Sequence, residues 1–273
     1  MKRVLALVMT LGLLLSLTAC GGGETKQAEG GAPAAESDLA YIKDKGEMVV
    51  GMTLFAPMNY EENGELTGFE TEFATAVCEK LGVTPKFQEI DWNSKEIELN
   101  AKNIDCIWNG MTVTEDRKQN MALTDSYMNN KQVIVCKKEN VDKFANSVDG
   151  LSVVAENGST GEELAQSDAF FANANYTAVD SQAKGLTDVL AGTSDAAIVD
   201  YVLSIGSIGE GTDFKDLAVV ESKEFARDEY AVAFRKGSDV ADEVNKVIAE
   251  LAADGTLKQI ADKYKLGELL LVK

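Results

Sequence analysis

The feature that most restricts this chain is a unit that occurs twice. "ELNAKNIDCIWNG" (98–110) and "VLAGTSDAAIVDY" (189–201) each run from a helix end through a short turn and an Asp into an apolar strand, then into polar residues. Two such units imply two lobes of one plan. The segments around them alternate in the same manner. Apolar runs predict strands over 47–52, 86–90, 104–108 and 131–138, and again over 151–156, 196–200, 217–221 and 230–236. Between them, "GFETEFATAVCEKLG" (68–82) repeats Phe69, Phe73, Val77 and Leu81 at four-residue steps and stops on Gly82, which predicts a helix. Further helices are expected over 93–103, 161–166 and 181–192, with two more at 239–254 and 256–264 separated by Gly255. Strand and helix in alternation predict an α/β fold with largely parallel sheets.

In open parallel sheets, ligands sit beyond the carboxyl ends of the strands. Both repeated units deliver polar residues to such ends: Asn109, Gly110 and Thr112 from one, Asp200 from the other. A third strand ends at "NGST" (157–160), a turn that opens a helix and presents free N–H groups to an anion. Within "WNGMTVTEDRKQN" (108–120), Thr114 reads as an N-cap, and Glu115 and Asp116 suit the positive helix terminus. Arg117 does not suit it. A guanidinium there, beside the amides of Gly110 to Thr112, is placed to receive a small carboxylate in bidentate fashion. Asp200, from the other unit, would receive an ammonium. The two together describe an α-amino acid, whose apolar portion Phe55 and Trp92, at two further strand ends, would hold. The bland alternative is that Arg117 pairs with one of the chain's own 45 carboxylates.

Composition removes whole classes of function. The formal net charge is −19, which argues against nucleic acid and against polybasic attachment to anionic lipid. Histidine is absent, so no Ser-His or Cys-His nucleophile and no imidazole metal site can form. No cofactor or metal is expected.

The N-terminus gives an address. Lys2 and Arg3 precede an apolar run from Val4 to Leu17, followed by Thr18-Ala19-Cys20. A charged start, a short apolar stretch and a small residue before the cut form a secretory signal, shorter than the roughly 20 residues of a spanning helix. "LTAC" resembles the bacterial lipobox, in which Cys20 is lipidated (palmitate-bearing) and becomes the mature N-terminus. Residues 20–40, rich in Gly, Ala, Glu and Ser, read as a flexible tether. The protein is therefore expected outside the cytoplasm, anchored to the cell membrane by lipid. Cys78, Cys106 and Cys136 sit in apolar segments and read as buried small hydrophobes, although three cysteines in an exported body leave one disulfide open.

"VVGMTLFAPMNYEENGELTGFETEFATAVCEKLG", "IDCIWNGMTVTEDRKQNMALTDSYM", "GST", "DAAIVD" and "DGTLKQIADKY", in that order, resemble the polar amino-acid family of extracytoplasmic solute-binding proteins of ABC importers. The likeness runs from about Met48 to Tyr264. It implies a two-lobe periplasmic-binding-protein-like fold (type II) whose lobes are joined by two hinge strands and close over an amino acid. Residues 1–19 are then the signal peptide, 41–131 with 228–273 lobe 1, and 132–227 lobe 2. The hinges are expected near "YMNNKQVIV" and "EFARDEYAV". The resemblance also implies roles. Arg117 clamps the ligand carboxylate, helped by the Thr112 amide and the turn of Thr160. Asp200, the Gly110 carbonyl and the Thr112 hydroxyl hold the ammonium. Phe55 and Trp92 stack on the side chain, and Asn109 and Glu156 face its pocket. Many relatives that bind cationic ligands carry an Asp before the Phe55 position, where this chain has Met52-Thr53-Leu54; Glu156 can replace that charge, so a cationic ligand stays open. The implied partners are a free amino acid and the membrane subunits of a permease, with the protein itself a monomer.

Several other signals have plainer readings. "NYEENGELTGFE" (59–70) nearly matches a calcium-loop spacing, but Asn63-Gly64 between extended segments is a hairpin turn signal. Pro57 fixes the loop after Phe55, Trp108 belongs to core or lobe surface, and Asp105 and Asp195 cap turns. Two other functions compete with transport. One is an enzyme on the same fold, dehydratase- or lyase-like, with Glu156 as its general acid. The other is a sensory protein that reports ligand to a receptor.

Overall fold

The computed structural model describes residues 37–272; the signal, Cys20 and most of the tether expected above lie outside them. In chain order the strands are β1 (Glu47–Met52), β2 (Tyr60–Glu62), β3 (Glu65–Thr67), β4 (Thr84–Glu89), β5 (Cys106–Ile107), β6 (Met121–Leu123), β7 (Met128–Lys137), β8 (Ser152–Glu156), β9 (Asn175–Val179), β10 (Ala196–Asp200), β11 (Leu217–Val219), β12 (Arg227–Tyr230) and β13 (Ala233–Arg235). They form two main sheets, one per lobe. The first has the order β4-β1-β5-β13-β6 and the second β11-β7-β10-β8-β9, with β12 paired to β7. In lobe 1, β4, β1 and β5 are parallel and β13 runs against β5. In lobe 2, β10, β8 and β9 are parallel and β7 runs against β10. The antiparallel strand is, in each lobe, the one that has just arrived from the other. The two crossings, the start of β7 and all of β12, pair with each other from Arg227↔Lys131 to Tyr230↔Met128. The chain tail closes over this crossing, where Leu271 N–H donates to the Tyr127 carbonyl at 2.9 Å.

The predicted amphipathic helix forms over Phe69–Leu81 and stops where Gly82 adopts φ 76°. A left-handed residue suits glycine because it has no Cβ to clash. The helix buries Phe69, Phe73, Val77 and Leu81. Phe73 meets Trp108 edge-on at 5.0 Å between ring centroids, so Trp108 is core. Strand β7 shows how lobe 2 covers both faces of its sheet. Val133 and Val135 pack with Leu186, Val189 and Val202, whereas Ile134 and Cys136 pack with Phe144, Val153 and Phe171 on the other side. Alternating side chains make this possible, and a strand covered on both faces reads as an unbroken apolar run. Cys78, Cys106 and Cys136 are buried free thiols.

The hairpin β2–β3 forms across Asn63 (φ 56°) and Gly64 (φ 81°) as the turn signal predicts. Three expectations change. The tether expected through residue 40 ends earlier, because Ser37 caps a helix over Asp38–Lys45 and Asp38 pairs with Arg235. The strand expected over 230–236 is split, since Tyr230 pairs with β7 while Ala233 pairs with β5: the chain changes sheets between them. Strand β9 and the helix Tyr201–Ser207 were not foreseen. The solvent-facing alternation of "NYTAV" is weak, and the helix starts on the very residue after β10. Asp105 and Asp195, expected to cap turns, instead tie neighbouring strands: each accepts a backbone N–H, from Val49 of β1 at 2.7 Å and from Ser152 of β8 at 2.8 Å, and Asp105 also pairs with Lys45.

Candidate functional site

The carboxyl ends of β1, β4 and β5 in lobe 1 and of β8 and β10 in lobe 2 converge on one narrow cleft. All nine residues singled out from sequence line it: Phe55, Trp92, Asn109, Gly110, Thr112 and Arg117 from lobe 1, and Glu156, Thr160 and Asp200 from lobe 2. Ser159 and Gln182 line it as well and were missed. Ser159 is the N-cap of the helix Thr160–Ser167. Gln182 opens a helix just beyond β9, so reading "NYTAV" as a strand would have exposed it by the same rule of carboxyl ends.

Arg117 sits in the first turn of the helix Glu115–Asn120, which Thr114 caps by accepting the Arg117 N–H at 3.2 Å. Its side chain is 5 % exposed and donates through Nη1 to the Thr112 carbonyl at 2.8 Å. Among the described residues it makes no ion pair, so the bland alternative fails. Burial alone pulls its pKa down, because removing a cation from water disfavours the charged form. The remaining guanidinium donors are left for something in the cleft.

Asp200 is buried opposite. Its Oδ1 accepts from Asn130 Nδ2 at 2.5 Å and Gln132 Nε2 at 2.7 Å, its Oδ2 accepts from Gln182 Nε2, and no cation pairs with it among the described residues. Burial raises its pKa, and the amide donors hold that rise in check. Asp228 on β12 shares Asn130 at 2.8 Å and is pushed up to about 7, first by burial and then by Asp200.

Under the cleft floor lies a second layer. Glu70 Oε1 accepts from the Gly110 N–H at 2.8 Å and from the Tyr127 hydroxyl, and Oε2 accepts from Asn59 Nδ2 at 2.9 Å. Asn109 Oδ1 accepts from Asn59 and from the Thr53 N–H, both at 3.0 Å, and its Nδ2 donates to Thr53 Oγ1 at 2.7 Å. Two details of the sequence reading change. The Gly110 amide is engaged by Glu70, leaving only its carbonyl for a ligand, and the Asn109 side-chain oxygen is fully engaged by Asn59 and Thr53, leaving one N–H of its amide free of them. Asn59 and Glu70, the end positions of the calcium-like spacing, bond each other in the interior. A Cβ on Gly110, whose φ is 54°, would stand 2.9 Å from Phe55 Cε1, so only glycine lets the floor lie this close to the aromatic wall.

The lobes touch at three places around the cleft. Thr112 Oγ1 lies 3.5 Å from Thr160 Oγ1. Lys95, held against the Trp92 ring at 4.8 Å, donates to the Gly158 carbonyl at 2.9 Å and the Trp92 carbonyl at 3.1 Å. Burial and the field of Arg117 lower its pKa to about 8. Helix Tyr201–Ser207 comes so close to the Phe55–Pro57 loop that a Cβ on Gly206 would stand 2.7 Å from Pro57 Cδ. Contacts of both lobes around one small cleft describe a closed arrangement.

Comparison with known proteins agrees with this architecture. The family model for bacterial extracellular solute-binding proteins, family 3, matches residues 48–268. The chain is 31% identical to the L-cystine-binding protein TcyA of Bacillus subtilis (strain 168), over 96% of this chain and 97% of that protein. It is 26% identical to the arginine-binding extracellular protein ArtP of the same organism, over 98% and 100%. An ABC uptake transporter substrate-binding protein from Streptococcus pneumoniae, solved with bound histidine, superposes with a TM-score of 0.76 at 28% identity, covering 86% of this chain and 99% of that one. The chain belongs to the bacterial extracellular solute-binding proteins of family 3.

Proposed function

We propose that this protein captures a polar or charged L-α-amino acid between its lobes and delivers it to an ABC import permease. The observation that carries the reading is a pair of buried opposite charges, Arg117 and Asp200, that line one cleft and have no ion-pair partner within the described residues. Leaving a buried charge unpaired is costly, so a site of this kind is complementary to a ligand bearing both a carboxylate and an ammonium. Arg117 and the free amides of Thr112 and the Thr160 turn take the carboxylate. Asp200, with the Gly110 carbonyl and the Thr112 hydroxyl, takes the ammonium. Phe55 and Trp92 hold the side chain, and Asn109 and Glu156 stand at its pocket. The relatives named for arginine, cystine and histidine support an amino acid over other solutes.

The ends of the ligand touch different lobes, so binding shifts an open–closed equilibrium about β7 and β12. In this reading lobe 1 runs from the helix that opens at Asp38 to 131 and resumes at 228, and lobe 2 comprises 132–227. The protein works as a monomer outside the cytoplasm, held to the membrane by lipid on Cys20 after removal of residues 1–19. It binds and releases its ligand unchanged, so none of these residues is assigned a catalytic role.

The test is a thermal-shift panel of the twenty amino acids with ornithine, citrulline and cystine. A true ligand adds on the order of 3 kcal/mol of apparent stability at a hundredfold excess over its Kd. One or a few hits support the reading, silence across the panel overturns it, and turnover of any hit would restore the enzyme alternative.

A further inference from the structure

The three charged residues that line the cleft do not balance. Arg117 carries one positive charge, while Asp200 and Glu156 carry two carboxylates. The zwitterionic core of an amino acid uses Arg117 and Asp200 and leaves Glu156 over. Glu156 ends β8, is 4 % exposed, and its Oε1 is buried with no hydrogen-bond partner. Among the described residues it makes no ion pair. Lys95, the nearest cation in its field, spends its ammonium on the carbonyls of Trp92 and Gly158. Gln182, its neighbour on the cleft wall, is bonded to Asp200 through both ends of its amide, and that amide favours the ionised Glu156 less than Lys95 does. A buried acceptor without a donor is rare in folded proteins, and here it faces the space a ligand fills.

We propose that Glu156 receives a cationic group at the end of the ligand side chain, so that the cleft selects basic amino acids. This rests on the amino-acid reading above. A ligand of net charge +1 balances the cleft with all three groups ionised, a neutral one leaves Glu156 protonated and without a partner, and an acidic one adds a further negative charge. The walls agree, since Phe55 and Trp92 offer apolar faces to an alkyl stem or a guanidinium plane. Burial, and after it the Asp200 charge, pushes Glu156 up to about 8, while Lys95 draws it down. Asp91 adds to the rise. At neutral pH the incoming cation therefore displaces a proton from Glu156 to solvent.

Arginine and citrulline have nearly the same shape and differ by one charge, so titration calorimetry with this pair, lysine and glutamine tests the assignment. The protein should bind arginine or lysine roughly 10- to 100-fold tighter than citrulline or glutamine, the range of one charge-assisted hydrogen-bonding group. Glu156→Gln should bring arginine and citrulline within a few-fold of each other. Arginine should release close to one more proton than citrulline at pH 7. Asp200 and Asp228 titrate for both ligands and cancel in that difference. Glutamine or citrulline binding as tightly as arginine would overturn the inference and leave the amino-acid reading intact, with a protonated Glu156 then donating to a side-chain carbonyl. A preference that survives Glu156→Gln would also overturn it. Failure of every amino acid in the panel overturns both.

Discussion

The floor and the wall of the cleft treat buried charge in opposite ways. Beneath the floor, Glu70 is fully buried, yet both its oxygens are answered, by Gly110, Tyr127 and Asn59. On the wall, Glu156 is nearly as buried, and one oxygen is answered by nothing. Both carboxyls are raised by burial, to about 7 and about 8. Burial therefore does not separate Glu70 from Glu156; the tally of partners does, and Asp200 stands between them, hydrogen-bonded by three amides but paired with no cation among the described residues. Glu70 holds the peptide of Gly110 in place, and Arg117, Glu156 and Asp200 wait for charges the chain does not supply.

The largest effect expected from this contrast is on the wall. Arg117→Ala and Asp200→Ala should each weaken ligand binding by about 3 kcal/mol or more, because each leaves a charge of the ligand unpaired in the closed cleft. Arg117→Ala should move the unfolding free energy by less than about 1 kcal/mol, since its charge is unpaired at rest, whereas Asp200→Ala also strands the amides of Asn130, Gln132 and Gln182 and should lower stability as well. Calorimetry and urea unfolding on the same preparations check both halves. A large stability loss in Arg117→Ala would break the distinction between wall and floor. The converse holds for Glu70→Ala. It strands the Gly110 N–H, the Tyr127 hydroxyl and the Asn59 amide in the interior, so about 3 kcal/mol of stability should be lost. Wild-type stability for Glu70→Ala would show that the floor network carries no weight.

This division also explains what was legible in the sequence. Charged and polar residues beyond strand ends announce themselves by position, so Arg117, Asp200 and the turn at Thr160 could be singled out, whereas Glu156 was named through the family resemblance. Gly82 as helix stop and Asn63-Gly64 as hairpin turn were readable because each conformation demands its residue. Glu70 was not readable. Its neighbours in the chain form an ordinary helix start, and its partners come from 11, 40 and 57 residues away. Gln182 escaped because β9, at the sheet edge, buries little and lacks the apolar run of a central strand. Long-range polar partners and half-exposed edges leave no periodic trace.

A smaller effect comes from the contact between lobes. Gly206 lies in lobe 2, and a methyl there meets the rigid ring and backbone of Pro57 in lobe 1 at 2.7 to 3.0 Å. Gly206→Ala removes no ligand contact and favours the helix by roughly 0.5–1 kcal/mol. It should still weaken binding by about tenfold, because the clash exists only when the lobes are closed. A variant that melts higher and binds worse would place part of the affinity in closure. Unchanged affinity would mean that the Pro57 loop yields without cost.

The smallest expected effect is a slope. A carboxyl raised in the folded state makes that state bind more protons than the unfolded chain, so stability falls as pH rises from the unfolded value toward the folded one. For Glu156 that window runs from about 4.5 to about 8, and for Glu70 and Asp228 it closes at about 7. Between pH 7 and 8, Glu156 is thus the main contributor among the three. The ligand-free protein should lose stability there at no more than about 1.4 kcal/mol per pH unit. Glu156→Gln should flatten that segment and reduce, without abolishing, the fall between pH 5 and 7, which Glu70 and Asp228 still carry. Urea midpoints measured across pH 5 to 8 for both proteins resolve the difference. An identical slope in the variant would mean that Glu156 shares its proton with a neighbour, and the wall would then be as well answered as the floor.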